Sequence, residues 1–253
     1  MSGTKMTDVF WLEQTEADAP ANDDGWLSAN ESVRLQDMRF AKRRADWRLG
    51  RWTAKRAVAA CLRLPSDLCD LAKIEVRAAP SGAPEIFVEG GPAAVTISLS
   101  HRAGRAMCAV TPAEAMLGCD LELIEPRSNN FIADYFTVEE QALVARTPAL
   151  HRPTVLAVLW SAKESALKAL HEGLRLDTRS VAVTVFKFEE SFAQLLQAAP
   201  ASSDWHPLQV RYNEHRTFHG WWQHMPDRVR TLVAAPPTNP PVPLHISDCA
   251  RPF

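Results

Sequence analysis

Two acids, Asp120 and Glu122, stand two residues apart in "LGCDLELI" (117–124), inside an otherwise apolar run. Read as a strand, the run turns both carboxylates to one face and Leu121 and Leu123 to the other. Buried carboxylates are costly without a partner. The pattern therefore suits either a solvated strand face or a site for a hard cation, since Mg²⁺ is held by one or two carboxylates with phosphates and water. The run "WSAKESALK" (160–168) adds a third acid, Glu164, with Lys168 on the same helical face and Lys163 beside it. An i,i+4 Glu–Lys pair is equally common on a solvated helix. "SLSH" (98–101) turns Ser98 and Ser100 to one side and ends on His101. No G-x-S-x-G elbow accompanies it, which argues against a serine hydrolase. From Arg39 to Arg56, eight of eighteen residues are Arg or Lys and only Asp46 is acidic. That block suits a solvated helix face, nucleic-acid contact, or a phosphate-rich small ligand gripped by Arg forks.

The elements that must carry these residues can be read from periodicity and punctuation. Residues 8–12 read as a short strand, followed by an acidic loop. Residues 28–62 read as helix, with Ser28 and Glu31 at capping-box spacing and Pro65 as its stop. Strands are expected within 72–91. Residues 95–101 alternate as a half-buried strand, and 105–111 and 117–124 add two more. A second capping box, Thr137 and Glu140, opens a helix. Residues 154–170 form an amphipathic helix that Gly173 stops. Strand-like runs follow at 181–188, 208–212, 217–222 and 229–234. Residues 237–253 carry too many prolines for regular structure and read as a disordered tail.

Helices then strands, twice over, predict an α+β fold: two similar α/β halves in a pseudo-twofold arrangement, each a small antiparallel sheet packed with helices. The halves are expected at 1–118 and 119–236. The likeness is one of layout, with no repeat at the level of residues.

The 253 residues are 46% hydrophobic with a formal net charge of −2, so no global field selects a nucleic acid or membrane. Five cysteines without a C-x-x-C argue against a disulfide framework or a zinc ribbon. His215 and His219 are four apart, but no acid or cysteine completes a zinc site, and "HEGLR" (171–175) is not H-E-x-x-H. Neither a signal peptide nor a membrane span is expected, and the cytoplasm is the expected compartment.

In order, "SLSH", "GCDLE" (118–122) and "WSAKESALK" resemble the three motifs of the 4′-phosphopantetheinyl transferases: S-x-S-H, G-x-D-x-E and W-x-x-K-E-x-x-x-K. The length and two-half layout look like the surfactin-synthetase-activating type rather than the half-length trimeric type. Weaker likeness reaches the basic block and residues 81–90. The resemblance implies transfer of phosphopantetheine from coenzyme A to a serine of an apo acyl or peptidyl carrier protein, by a monomer. It implies Mg²⁺, with Mn²⁺ also suited, on Asp120, Glu122 and Glu164. Asp120, Glu164 and Lys168 would be catalytic. His101, Ser100, Arg43, Arg51, Arg56 and Lys163 would meet coenzyme A. Where the family often has a basic residue in a G-x-P turn, this chain has Ala83. The alternative is a coenzyme A or carrier-binding protein without transferase activity.

Overall fold

Apolar alternation in the strands, and a capping box on the helix that precedes each long helix, set out two units on one plan. The computed structural model describes residues 6, 8–21, 23–172, 175–185, 204–213 and 216–246. The fold is α+β.

The first unit comprises the described residues of 8–115 and 242–253. In chain order it has β1 (Phe10–Thr15), α1 (Ala29–Gln36), α2 (Ala41–Leu62), α3 (Leu68–Ala72), β2 (Ile74–Ala78), β3 (Pro84–Val88), β4 (Gly91–Pro92), β5 (Thr96–Arg102) and β6 (Arg105–Thr111). The chain's last strand, β12 (Val242–Pro243), completes a sheet ordered β12-β1-β6-β5, and β2-β3-β4 form a second. α2 covers β6 and β1, burying Trp52, Ala54, Ala57 and Val58 with Leu12, Ile97, Cys108 and Val110.

The second unit comprises the described residues of 116–241 with Met6. It holds β7 (Met116–Leu123), α4 (Asn129–Tyr135), α5 (Val138–Arg146), α6 (Arg152–Ala169), β8 (Val181–Val185), β9 (His206–Tyr212), β10 (Arg216–His224) and β11 (Arg228–Ala235). Its antiparallel sheet runs β7-β11-β10-β9-β8. α6 lies on β7 and β11. Val155, Leu159, Ala162, Ala166 and Leu167 are buried there with Phe218, Trp222 and Val233. A fully buried Val, Leu or Phe contributes about 1.5–3 kcal/mol, so such faces hold helix to sheet.

Several expectations need correction. The helix expected over 28–62 is two helices, broken at Asp37–Phe40 without Gly or Pro. The expected half-buried strand is covered on both faces, since Ser98 and Ser100 are buried as well as Ile97. α3 and α4 begin on the side-chain caps Asp67 and Ser128. Residues 237–246 are not structureless: Val242 and Leu244 donate to the carbonyls of Val9 and Trp11 at 2.9 and 2.8 Å. Pro243 falls between these donors on an edge strand, where a missing N–H costs nothing. The division between units falls after Ala115, because β7 is continuous from Met116. Gly173, His215, residues 186–188 and residues 247–253 lie outside the described residues.

The likeness of the units also reaches individual residues. In the first, Glu31 completes the capping box with Ser28, accepts from the Val76 N–H at 3.0 Å, and pairs with buried Lys55 at 2.5 Å. In the second, Glu140 completes the box with Thr137, accepts from the Val183 N–H at 2.9 Å, and pairs with buried Lys163 at 2.9 Å. Lys55 ends "WTAK" and Lys163 ends "WSAK". Each clamp ties a cap, a long helix and an outer strand together.

Candidate active site

The second unit brings four of the expected site residues together. Gly118, Asp120 and Glu122 alternate onto the face of β7 that meets α6. A Cβ on Gly118 would lie 1.7 Å from the Ser165 carbonyl oxygen and 3.0 Å from the Ala169 nitrogen. Only glycine lets the helix backbone come this close. The close approach lets the Lys168 Nζ donate to Asp120 Oδ1 at 2.7 Å and to the Cys119 carbonyl at 3.0 Å. Thr231, opposite Asp120 on β11, fixes the same helix: its hydroxyl lies 2.8 Å from that of Ser161 and 2.7 Å from that of Ser165.

Glu164 sits within the field of both strand acids. Burial, then Asp120, and more weakly Glu122 raise its carboxyl to about 7, with Lys168 pulling the other way. Its Oε1 is buried with no hydrogen-bond partner. Burial opposes the Lys168 ammonium, but Asp120 and Glu164 outweigh it and hold Lys168 above the ordinary lysine range. The arrangement sets Asp120 and Glu164 against one lysine, with Glu122 two residues along β7 and within the field of Glu164.

This donor set fits a hard divalent cation by its chemistry and by the unsatisfied buried oxygen of Glu164. It is not a ready-made cage. Among the described residues no group of three His, Cys, Asp or Glu side chains is close enough to hold a metal ion. Asp120 is engaged by Lys168 and Glu122 by Arg127, at 2.7 and 3.3 Å. Mg²⁺ needs only one or two protein carboxylates when phosphates supply the rest.

Lys163, expected to meet coenzyme A, is instead fully buried. Glu140 and the carbonyls of Thr178 and Val181 take its three donors. Consecutive helical residues point about 100° apart, so Glu164 and its neighbour serve different faces.

The remaining expected residues belong to the first unit. His101 is exposed at the end of β5, and Ser100 is buried beside it. The β5–β6 turn that follows uses Ala103 and Gly104 with φ of 50° and 71°, the left-handed pair of a tight hairpin. Arg43 is exposed near the start of α2. Arg51 and Arg56 are largely buried against tryptophans, 4.9 Å from the Trp47 ring and 5.3 Å from the Trp52 ring. Arg51 also lies 3.8 Å from Glu31, and burial pulls its guanidinium down against that pairing.

Arg127 escaped the sequence reading. It pairs with Glu122 and Glu125 at 3.3 and 3.2 Å and lies 5.0 Å from the Phe131 ring. A lone arginine after an acidic strand has no spacing signature; the signal was only its nearness to Glu122 and Glu125 in the chain.

No helix among the described residues is long and apolar enough to cross a membrane. No curated protein matches the chain. A family model does match, over the stretch that opens with β7, includes all of α6 and ends within β10. The match supports phosphopantetheine transfer as the general chemistry of this stretch: residues 116–218 match the model of the 4′-phosphopantetheinyl transferase superfamily.

Proposed function

We propose that the protein transfers the 4′-phosphopantetheine group of coenzyme A to a serine hydroxyl of an apo acyl or peptidyl carrier protein, as a transferase of the surfactin-synthetase-activating type. The products are the holo carrier and adenosine 3′,5′-bisphosphate. The observation that carries this reading is the meeting of Asp120, Glu122, Glu164 and Lys168 inside the stretch that matches the superfamily.

The serine oxygen attacks the phosphorus that bears pantetheine, and the bond from that phosphorus to the bridging pyrophosphate oxygen breaks. Serine is a weak nucleophile and needs a base. Glu164, whose Oε1 has no hydrogen-bond partner, takes its proton, directly or through a water. Lys168 stabilises charge that grows on the leaving oxygen. Asp120, Glu122 and Glu164 would hold Mg²⁺, with Mn²⁺ accepted on the same oxygen donors. A divalent ion there supplies Lewis-acid neutralisation of the pyrophosphate. Lys168 keeps Asp120 oriented, and Arg127 does the same for Glu122. His101 and Ser100 contact coenzyme A, and Arg43 is the most accessible of the three arginines for phosphate.

The test is mass spectrometry of an apo carrier protein incubated with the protein, coenzyme A and Mg²⁺. The carrier should gain one phosphopantetheine. If a reference transferase modifies the carriers and this protein modifies none, the reading fails.

A further inference from the structure

The acids of β7 already have cations of their own chain. Lys168 pairs with Asp120 at 2.7 Å and Arg127 with Glu122 at 3.3 Å. Arg127 follows β7 in the segment that leads to α4. Besides Glu122 it meets Glu125 at 3.2 Å and the Phe131 ring at 5.0 Å. Phe131 is packed in turn on Tyr135, Phe136 and Trp160, with ring centroids 4.9, 5.8 and 5.0 Å away. A guanidinium set over so well packed a ring is held in place beside Glu122.

That placement sets up a competition. A guanidinium does not lose its proton in a protein, so the charge beside Glu122 is permanent. Water screens it little, because only 24% of the Arg127 side chain and 12% of that of Glu122 are exposed. A divalent cation arriving alone must share Glu122 with this fixed positive charge. A pyrophosphate changes the balance. Its oxygens are charged acceptors that an arginine fork binds two at a time, so the fork can turn from Glu122 to phosphate. The same side chain then opposes a cation alone and favours one that comes with a pyrophosphate.

We propose that Arg127 is a positioning residue that makes metal and coenzyme A load together: it withholds Glu122 from a bare divalent ion and yields it when the pyrophosphate arrives. The proposal rests on the transferase reading for the identity of the phosphate ligand and adds the residue that couples its binding to that of the metal.

Mn²⁺ is the probe. Its paramagnetic resonance signal, lost on binding, gives its Kd for the whole protein with and without coenzyme A, against a coenzyme A blank. Coenzyme A should tighten Mn²⁺ about tenfold or more in the wild type. Arg127→Gln should lower the Mn²⁺ Kd about tenfold in the absence of coenzyme A, and shrink the tightening that coenzyme A gives. Damage to the fold would only weaken Mn²⁺ binding, so a gain is not a folding effect. Arg127→Lys keeps the charge without the fork. It should bind Mn²⁺ alone as the wild type does, yet gain less from coenzyme A. An unchanged or weaker Mn²⁺ Kd in a folded Arg127→Gln protein overturns the proposal. So does an Arg127→Lys protein that gains as much from coenzyme A as the wild type, or a wild type that binds no Mn²⁺ under either condition. Transfer measured in parallel separates the two readings. Transfer by a wild type whose Mn²⁺ affinity ignores Arg127 removes this role alone. The expected Mn²⁺ shifts in a protein that transfers nothing remove the transferase reading alone.

Discussion

The two units share a clamp but differ in what their long helices carry beyond it. Both helices place a tryptophan three residues before a buried lysine, and both lysines close on a capping-box glutamate that also holds a strand N–H. One residue past Lys163 comes Glu164, and five past it Lys168; the same steps past Lys55 give Arg56 and Ala60. α6 thus presents an acid and a base to the acids of β7, whereas α2 presents an arginine packed on Trp52. The comparison separates scaffold from chemistry: the clamp is common to both units, and the proposed reaction uses what only the second adds.

Substitutions in the added set should have the largest effects. Asp120→Ala and Glu164→Ala should each lower transfer by about a thousandfold or more, or roughly 4 kcal/mol of transition-state stabilisation. Steady-state rates on a purified carrier check this; full activity in either variant removes that residue's role.

Breaking the clamps should come next, and alike in both units. Lys55→Met and Lys163→Met each strand a buried glutamate, which costs about 3–5 kcal/mol. Denaturant melts would measure it. A large loss in one unit with none in the other would mean the clamps are not equivalent. Gly118→Ala should cost about 1–3 kcal/mol through overpacking against the α6 backbone and should weaken the Lys168–Asp120 contact. A variant as stable as wild type would contradict the close approach of helix and strand.

The smallest effect is a pH dependence confined to the second unit. Burial lowers the pKa of His206, with Asp204 opposing, and burial followed by His206 lowers that of His224. The folded state therefore favours the neutral imidazoles, and the unfolded chain binds more protons below the ordinary value of about 6.5. The histidines' contribution to stability should be full above that value and fall as the pH drops from it toward the depressed folded values. Glu164, raised to about 7, changes in the opposite sense over the same range. His206→Asn with His224→Asn should flatten this part of the profile in thermal melts; an unchanged profile would show that the histidines do not set it.

Much of the site was legible because short periods are local. Two residues along a strand or four along a helix return to the same face, so Asp120 with Glu122 and Glu164 with Lys168 could be paired on sight. Capping boxes are local too, and Ser28–Glu31 and Thr137–Glu140 both form. What stayed hidden depends on distant partners. Lys163 adjoins a site glutamate in sequence, yet its own partners, Glu140, Thr178 and Val181, lie far along the chain. The clamp repeat was missed for the same reason, since "WTAK" and "WSAK" gain meaning only when both lysines are seen to close on capping glutamates. Pro243 misled because composition does not reveal which N–H groups a strand uses.

The central claim is that the acids of β7 and α6 perform phosphopantetheine transfer. The most direct measurement is the mass of an apo carrier protein after incubation with coenzyme A, Mg²⁺ and either wild-type protein or a folded Glu164→Gln variant. The account predicts a phosphopantetheine adduct with wild type and none with Glu164→Gln over the same time. An unmodified carrier with wild type, where a reference transferase modifies it, or an equal yield from the two proteins, would contradict it.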